Sequence, residues 1–192
     1  MPRLLDKIVV VDLSQTSWPE GQTPSDQQPD IIELGVCLVD VHSGRMERWP
    51  RLFVRPERST LSRYCEDRTG VYTRDLAEAR SFRAVCEALR RELCTRERVW
   101  ASFGNHVRRI FKHQCQADGL RYPFGASHIN LKSLLAILQA RSREQSLPDA
   151  MRAMNLPMPA SRHRATDRAA CAAMVLARLL LEHRMKLVGG TN

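Results

Sequence analysis

The basic side chains of this sequence are overwhelmingly arginine; only Lys7, Lys112, Lys132 and Lys186 are lysines. Arg162, His163, Arg164 and Arg168 crowd one short segment, and Arg108, Arg109, Lys112 and His113 crowd another. A guanidinium offers a planar fork of donors that matches a phosphate and stacks on a base. With a net charge of +9 over 192 residues, these clusters point to a polyanionic partner. A solvated helix face, or a genome that writes arginine wherever a positive charge will do, would leave the same composition. Charge alone therefore does not choose. Among the aromatics, Trp100 and Phe103 sit in a strand-like phrase and read as core, whereas Trp18, in a polar stretch, is the better base-stacking candidate than these or Trp49.

The six cysteines are scattered without a CxxC pair, and Cys37, Cys86 and Cys171 lie in apolar segments. That pattern suits reduced core thiols in a cytoplasmic protein and argues against a disulfide framework or a zinc site. No apolar run approaches the ~20 residues that span a membrane, so no membrane partner is expected. At the start of the chain Asp6, Lys7 and Asp12 interrupt the apolar residues, so residues 7–13 read as a buried strand, not a signal peptide.

The elements that must position these groups follow from periodicity. Residues 17–29, rich in Pro, Gln, Ser and Thr, read as an exposed loop. Residues 30–41 and 45–54 read as strands joined by the turn His42-Ser43-Gly44. Residues 59–73 read as a loop with short helical turns. Ser81 can cap a helix whose apolar face includes Phe82, Val85, Cys86, Leu89 and Leu93. Residues 99–103 form a short strand, and 106–117 repeat helical spacing through Val107, Ile110, Phe111 and Cys115. A strand at 128–131 and helices at 133–140, 146–154 and 167–182 complete the order β-β-β-α-β-α-β-α-α-α. The expected class is α/β, with a mixed sheet of about five strands, one antiparallel hairpin, and helices on both faces. Residues 1–185 form a single domain and 186–192 a tail.

Six phrases in this order carry a resemblance: VVVDLSQTSW (9–18), DIIELG (30–35), FVRPERSTLSRYCEDRTGV (53–71), WASFGNHVRRIFKHQC (100–115), YPFGASHINLK (122–132) and HRATDRAA (163–170). Together they resemble the DEDDh 3′–5′ exonucleases of the RNase H-like fold, in the branch of ERI1-type and KapD-like exoribonucleases. The resemblance covers nearly the whole chain. Active members of that family need four acidic residues and a histidine, because two divalent cations roughly 4 Å apart must clamp the scissile phosphate. Hard cations choose oxygen ligands, and the histidine serves as general base.

Carried over residue by residue, the resemblance implies a degenerate site. Asp12 matches the first aspartate and His163 the general base; both read as remnants of catalytic residues. Ser14 stands at the glutamate position, Val107 at the helix-start aspartate and Arg168 at the last aspartate, so three ligand positions are lost. Asp12 is then a place for one weak metal at most, and a salt bridge is preferred. Asp167 and Glu33 are not assigned to metal. Arg168 beside Asp12 can stand in for a metal toward phosphate, or can plug the site as a structural pair. Thr69 and Gly70 match a phrase that lies near the terminal nucleotide in the resembling enzymes. Thr69, Arg108, Arg109, Lys132, Arg164 and Arg168 are thus the candidate nucleic-acid contacts. The expected function is a pseudo-exonuclease that binds RNA as a regulatory or adaptor factor, with no cofactor. The alternatives are an active exoribonuclease using Mg or Mn at an altered site, and a protein-interaction module on the exonuclease scaffold.

Overall fold

The computed structural model describes residues 4–159 and 163–189, with side chains described as far as residue 184. Its centre is strand β1 (Leu4–Gln15), flanked on one side by antiparallel β2 (Ile31–Asp40). On the other side β5 (Arg98–Ser102) pairs in parallel, followed by parallel β6 (His128–Asn130) at the sheet edge. β3 (Met46–Arg48) and β4 (Leu52–Phe53) both pair antiparallel with β2. The sheet therefore has six strands in a mixed arrangement. The single third strand expected over 45–54 is broken in two, because Pro50 lies between β3 and β4 and has no N–H to give a ladder.

Strand alternation sorts the core into two layers. Val9, Val11 and Leu13 face α3 (Phe82–Leu93) and α4 (His106–Ala117), packing on Val85, Leu89, Val107 and Phe111. Ile8 and Val10 face the opposite layer, where α5 (Leu131–Leu138), α6 (Leu147–Ala153) and α7 (Ala165–Gly189) lie. Two short helices, α1 (Arg63–Thr69) and α2 (Thr73–Leu76), supply the turns expected over 59–73. Ser81 caps α3 by accepting from the Ala84 N–H, as its sequence position requires. α7 continues to Gly189, beyond the tail boundary expected after residue 185. Arg184 to Val188 contain no helix breaker, so nothing stops the helix before the Gly189-Gly190 pair.

The same alternation puts Asp12 and Ser14 on the α7 side. There the register sets Asp12 opposite Gly35 and Ser14 opposite Glu33. A Cβ at Gly35 would lie 2.1 Å from the Ala165 carbonyl oxygen, so only glycine lets the start of α7 come this close to the sheet. Glu33, fully buried, accepts the Ala165 N–H at 2.9 Å and the Arg51 Nε–H at 2.7 Å. Its carboxylate fixes the α7 N-terminus, where negative charge is favoured. These two residues of β2 aim α7 so that Arg168, one turn in, reaches Asp12.

Candidate functional site

Arg168 and Asp12 meet at the sheet surface. The guanidinium donates from Nε to Asp12 Oδ1 at 2.9 Å, and Nη2 lies 2.7 Å from the same oxygen. Nη2 also donates to the Leu13 carbonyl at 2.6 Å and the Ser14 hydroxyl at 3.3 Å, while Nη1 donates to the His163 carbonyl. Asp12 itself is 3% exposed and accepts one further bond, from the Leu13 N–H at 2.7 Å. Burial pushes the Asp12 carboxyl above its usual range, and the Arg168 guanidinium pulls it part of the way back.

Ser14, Arg168 and His163 line one wall of an open cleft of about 710 Å³. Across from them stand Trp18, from the 17–29 segment, and Tyr64, Arg68 and Thr69 of α1. Arg68 donates to the Tyr64 hydroxyl at 2.7 Å and lies over its ring. Thr69 donates to the Cys65 carbonyl at 2.7 Å and accepts from the Val71 N–H, so its hydroxyl is engaged within its own turn. Gly70, at φ +64°, ends α1 in the left-handed conformation that glycine tolerates, and its α-carbon faces Arg164. The cleft thus joins Thr69, His163 and Arg168, with Asp12 buried beneath Arg168 and Arg164 beside Gly70. Arg162 lies outside the described residues.

The structure corrects one assignment. Val107, placed at the helix-start ligand position, is fully buried in the core under β1. The preceding residue, His106, lines the cleft and interacts electrostatically with Asp12 and Arg168. One residue turns a helical side chain by about 100°, which separates core from cleft. The sequence held the signal: Val107, Ile110, Phe111 and Cys115 define the apolar face, so the cleft-facing residue had to fall off it. Burial against the cleft wall lowers the His106 imidazole below its ordinary value, with Asp12 opposing. Tyr64 and Arg68 were also not anticipated.

The remaining basic candidates lie beside the cleft. Lys132 stands near His106 and pairs with Glu144 at 3.5 Å, and Arg109 acts on His106 electrostatically. Arg108 acts instead on Tyr122 and His128, farther along the sheet edge. Asp167 turns toward β3 and lies 3.8 Å from Arg48. Trp18 is in the cleft, Trp100 is fully buried against Phe124, Phe103 is core, and Trp49 packs half-buried on the core. Among the described residues, no group of three His, Cys, Asp or Glu side chains is arranged to hold a metal ion. No helix among them is long and apolar enough to cross a membrane.

Comparison with known proteins places this geometry in context. No family model matches the chain. It is 29% identical over 136 residues to the 3′–5′ exoribonuclease 1 of Rattus norvegicus, covering 66% of this chain and 39% of that protein. It is 31% identical over 65 residues to the 3′–5′ exonuclease Snipper of Drosophila melanogaster, covering 33% of this chain and 23% of the relative. The chain thus spans less than half the length of these curated relatives. In structure it superposes on the nuclease domain of 3′hExo, a DEDDh family member bound to rAMP, with a TM-score of 0.82. That match covers 95% of both chains at 22% identity. The fold is the RNase H-like fold of DEDDh nucleases, and the sequence relatives are ERI1-type 3′–5′ exoribonucleases.

Proposed function

We propose that this protein is a catalytically degenerate 3′–5′ exonuclease-like factor that holds RNA, or another single-stranded nucleic acid, in the cleft beside Asp12 and works as a regulatory or adaptor factor. The observation that carries this reading is the Arg168 guanidinium seated on Asp12 Oδ1. Two divalent cations need several carboxylates around them. The donors at this place are one buried carboxylate already paired with a fixed cation, the Ser14 hydroxyl, the imidazoles of His106 and His163, and the exposed Asp67, which pairs with Arg63 at 3.3 Å. This set does not fit a two-metal centre. A guanidinium can neutralise and orient a phosphate oxygen. It does not generate a hydroxide from bound water, which is what a divalent ion would add. In this reading His163 contacts phosphate, Arg68 and Arg164 add charge, and Trp18 and Tyr64 offer ring faces to bases.

The test is binding of labelled single-stranded RNA to the wild type and Arg168→Ala. The expected result is a loss of affinity of roughly five- to tenfold in the variant, with binding that weakens steeply as salt rises. Unchanged affinity would end the metal-substitute role of Arg168. No binding even at low salt would leave a protein-interaction module on the exonuclease scaffold as the function. A second reading, an active exoribonuclease using Mg²⁺ or Mn²⁺ at an altered site, draws support from the likeness to exoribonucleases and from Asp12 and His163. It requires RNA shortening that depends on metal and on His163.

A further inference from the structure

A second concave basic site lies at the other end of β5. Arg96, Arg98 and Arg121, with Glu97, Gly125 and Ser127, line an open cavity of about 620 Å³. Its walls are rigid for clear reasons. The Gly125 N–H donates to the Thr95 carbonyl at 2.9 Å, and the Gly125 carbonyl accepts from the Trp100 indole at 3.2 Å. A Cβ at Gly125 would lie 2.5 Å from the Arg96 carbonyl oxygen, so glycine lets the two loops meet. Arg98 is already engaged: it grips both oxygens of Asp6, at 3.0 and 2.6 Å, and holds that carboxyl down at about 2. Arg96 and Arg121 differ. Both are exposed at the cavity rim, and neither has an ion-pair partner among the described residues. Glu97 subtracts one charge from the wall, leaving the pair still net positive.

This cavity is connected to the cleft by charge. Arg109 and Lys132 lie close enough to His106 to act on it electrostatically, and Arg108 acts in the same way on Tyr122 and His128. Tyr122 adjoins Arg121 in sequence, and His128 follows Ser127 of the cavity wall. The path follows β6, the edge of the sheet. β5, whose two ends the sites adjoin, has five residues, about 13 Å at the usual strand rise, a span of about four stacked nucleotides.

We infer that the Arg96–Arg121 cavity is a second contact for the phosphodiester backbone, engaging a single strand upstream of the end held in the cleft. The inference rests on the RNA-binding reading of the cleft and extends it from an end-binding pocket to a track several nucleotides long. Backbone contacts of this kind are salt-dependent and indifferent to sequence.

Anisotropy titrations with labelled oligouridylates test it, comparing a trinucleotide with a dodecanucleotide on the wild type and on Arg96→Ser/Arg121→Ser. Both substituted residues are exposed, and matching melting curves establish that the variant is folded. The wild type should bind the dodecamer at least about tenfold more tightly than the trimer. The variant should lose most of that gain while binding the trimer unchanged. Its salt slope for the dodecamer should be shallower by about 1.4, at about 0.7 per phosphate contact. A variant that binds the dodecamer as the wild type does overturns this inference and leaves the cleft reading intact. No binding of either oligomer to the wild type at low salt overturns both.

Discussion

Two buried aspartate–arginine pairs stand among the described residues, and they are built differently. Asp30, at the entry to β2, accepts from the backbone N–H groups of Glu57 and Arg58, the Arg58 guanidinium, the Ser59 hydroxyl and the Gln114 amide. These donors are spread over both its oxygens. Arg58 in turn reaches Asp118 at 3.2 Å. The result ties β2, the segment after β4 and the end of α4 into one knot. At Asp12, by contrast, the donors from the described residues all converge on Oδ1, and the arginine arrives from the wall of an open cleft. The first arrangement fastens a fold, because every acceptor is used and water is shut out. The second puts a fixed cation at the floor of a place where a ligand can enter.

Substitutions can break or sharpen this contrast. The largest effect is expected at Val107, next to the cleft but not of it. Val107→Asp would bury an unpaired carboxylate in the core and should cost about 4 kcal/mol or more, enough to prevent folding. His106→Asp, one residue earlier and on the cleft, should fold. If circular dichroism showed both variants folded alike, the cleft-facing position would not be His106.

Asp30→Ala comes next. Removing one member of a buried, hydrogen-bonded pair costs about 3 kcal/mol, a fall in melting temperature of roughly 6–12 °C for a chain of this size. A change below about 2 °C would mean that the knot is not a fastener.

Arg168→Ala should cost less, about 2 kcal/mol at neutral pH, and the cost should depend on pH. The folded Asp12 carboxyl is already raised by burial, and losing the guanidinium raises it further. A group with a raised folded pKa contributes stability that is present below its unfolded value and is lost as pH rises through the folded one. The melting-temperature gap between wild type and Arg168→Ala should therefore be small near pH 4 and widen toward pH 7. A gap that narrows with rising pH would mean that Asp12 is not the group left uncompensated.

The smallest effect belongs to Asp12→Asn. The amide keeps an acceptor for Arg168 and removes a buried charge, so the change should stay within about 1 kcal/mol. Asp30→Asn should cost more, because an NH₂ group would then face N–H donors. Equal costs, read from denaturant midpoints, would erase the distinction between the two pairs.

Much of this was legible in the sequence because it depends on local pattern. The α4 apolar face, the Ser81 cap and the β-branched run of β1 each announce themselves within a few residues. The pairing of Asp12 with Arg168 spans 156 positions and came only through the likeness to exonucleases. That likeness put a lost ligand position on Val107, whereas the apolar spacing of α4 already marked Val107 as core and left His106 to face the cleft. The Asp30 knot was illegible because its partners lie up to 84 positions away and carry no periodic signal. Glu33 looked like one more residue of a strand phrase, and only the approach of α7 over Gly35 shows what its carboxylate holds.

The central claim is that a fixed guanidinium now stands where hydrolysis would need metal. It is tested most directly by incubating end-labelled single-stranded RNA with the protein in Mg²⁺ or Mn²⁺, with His163→Ala alongside. The account predicts full-length RNA in every lane. Metal-dependent shortening from the 3′ end that disappears in His163→Ala would contradict it.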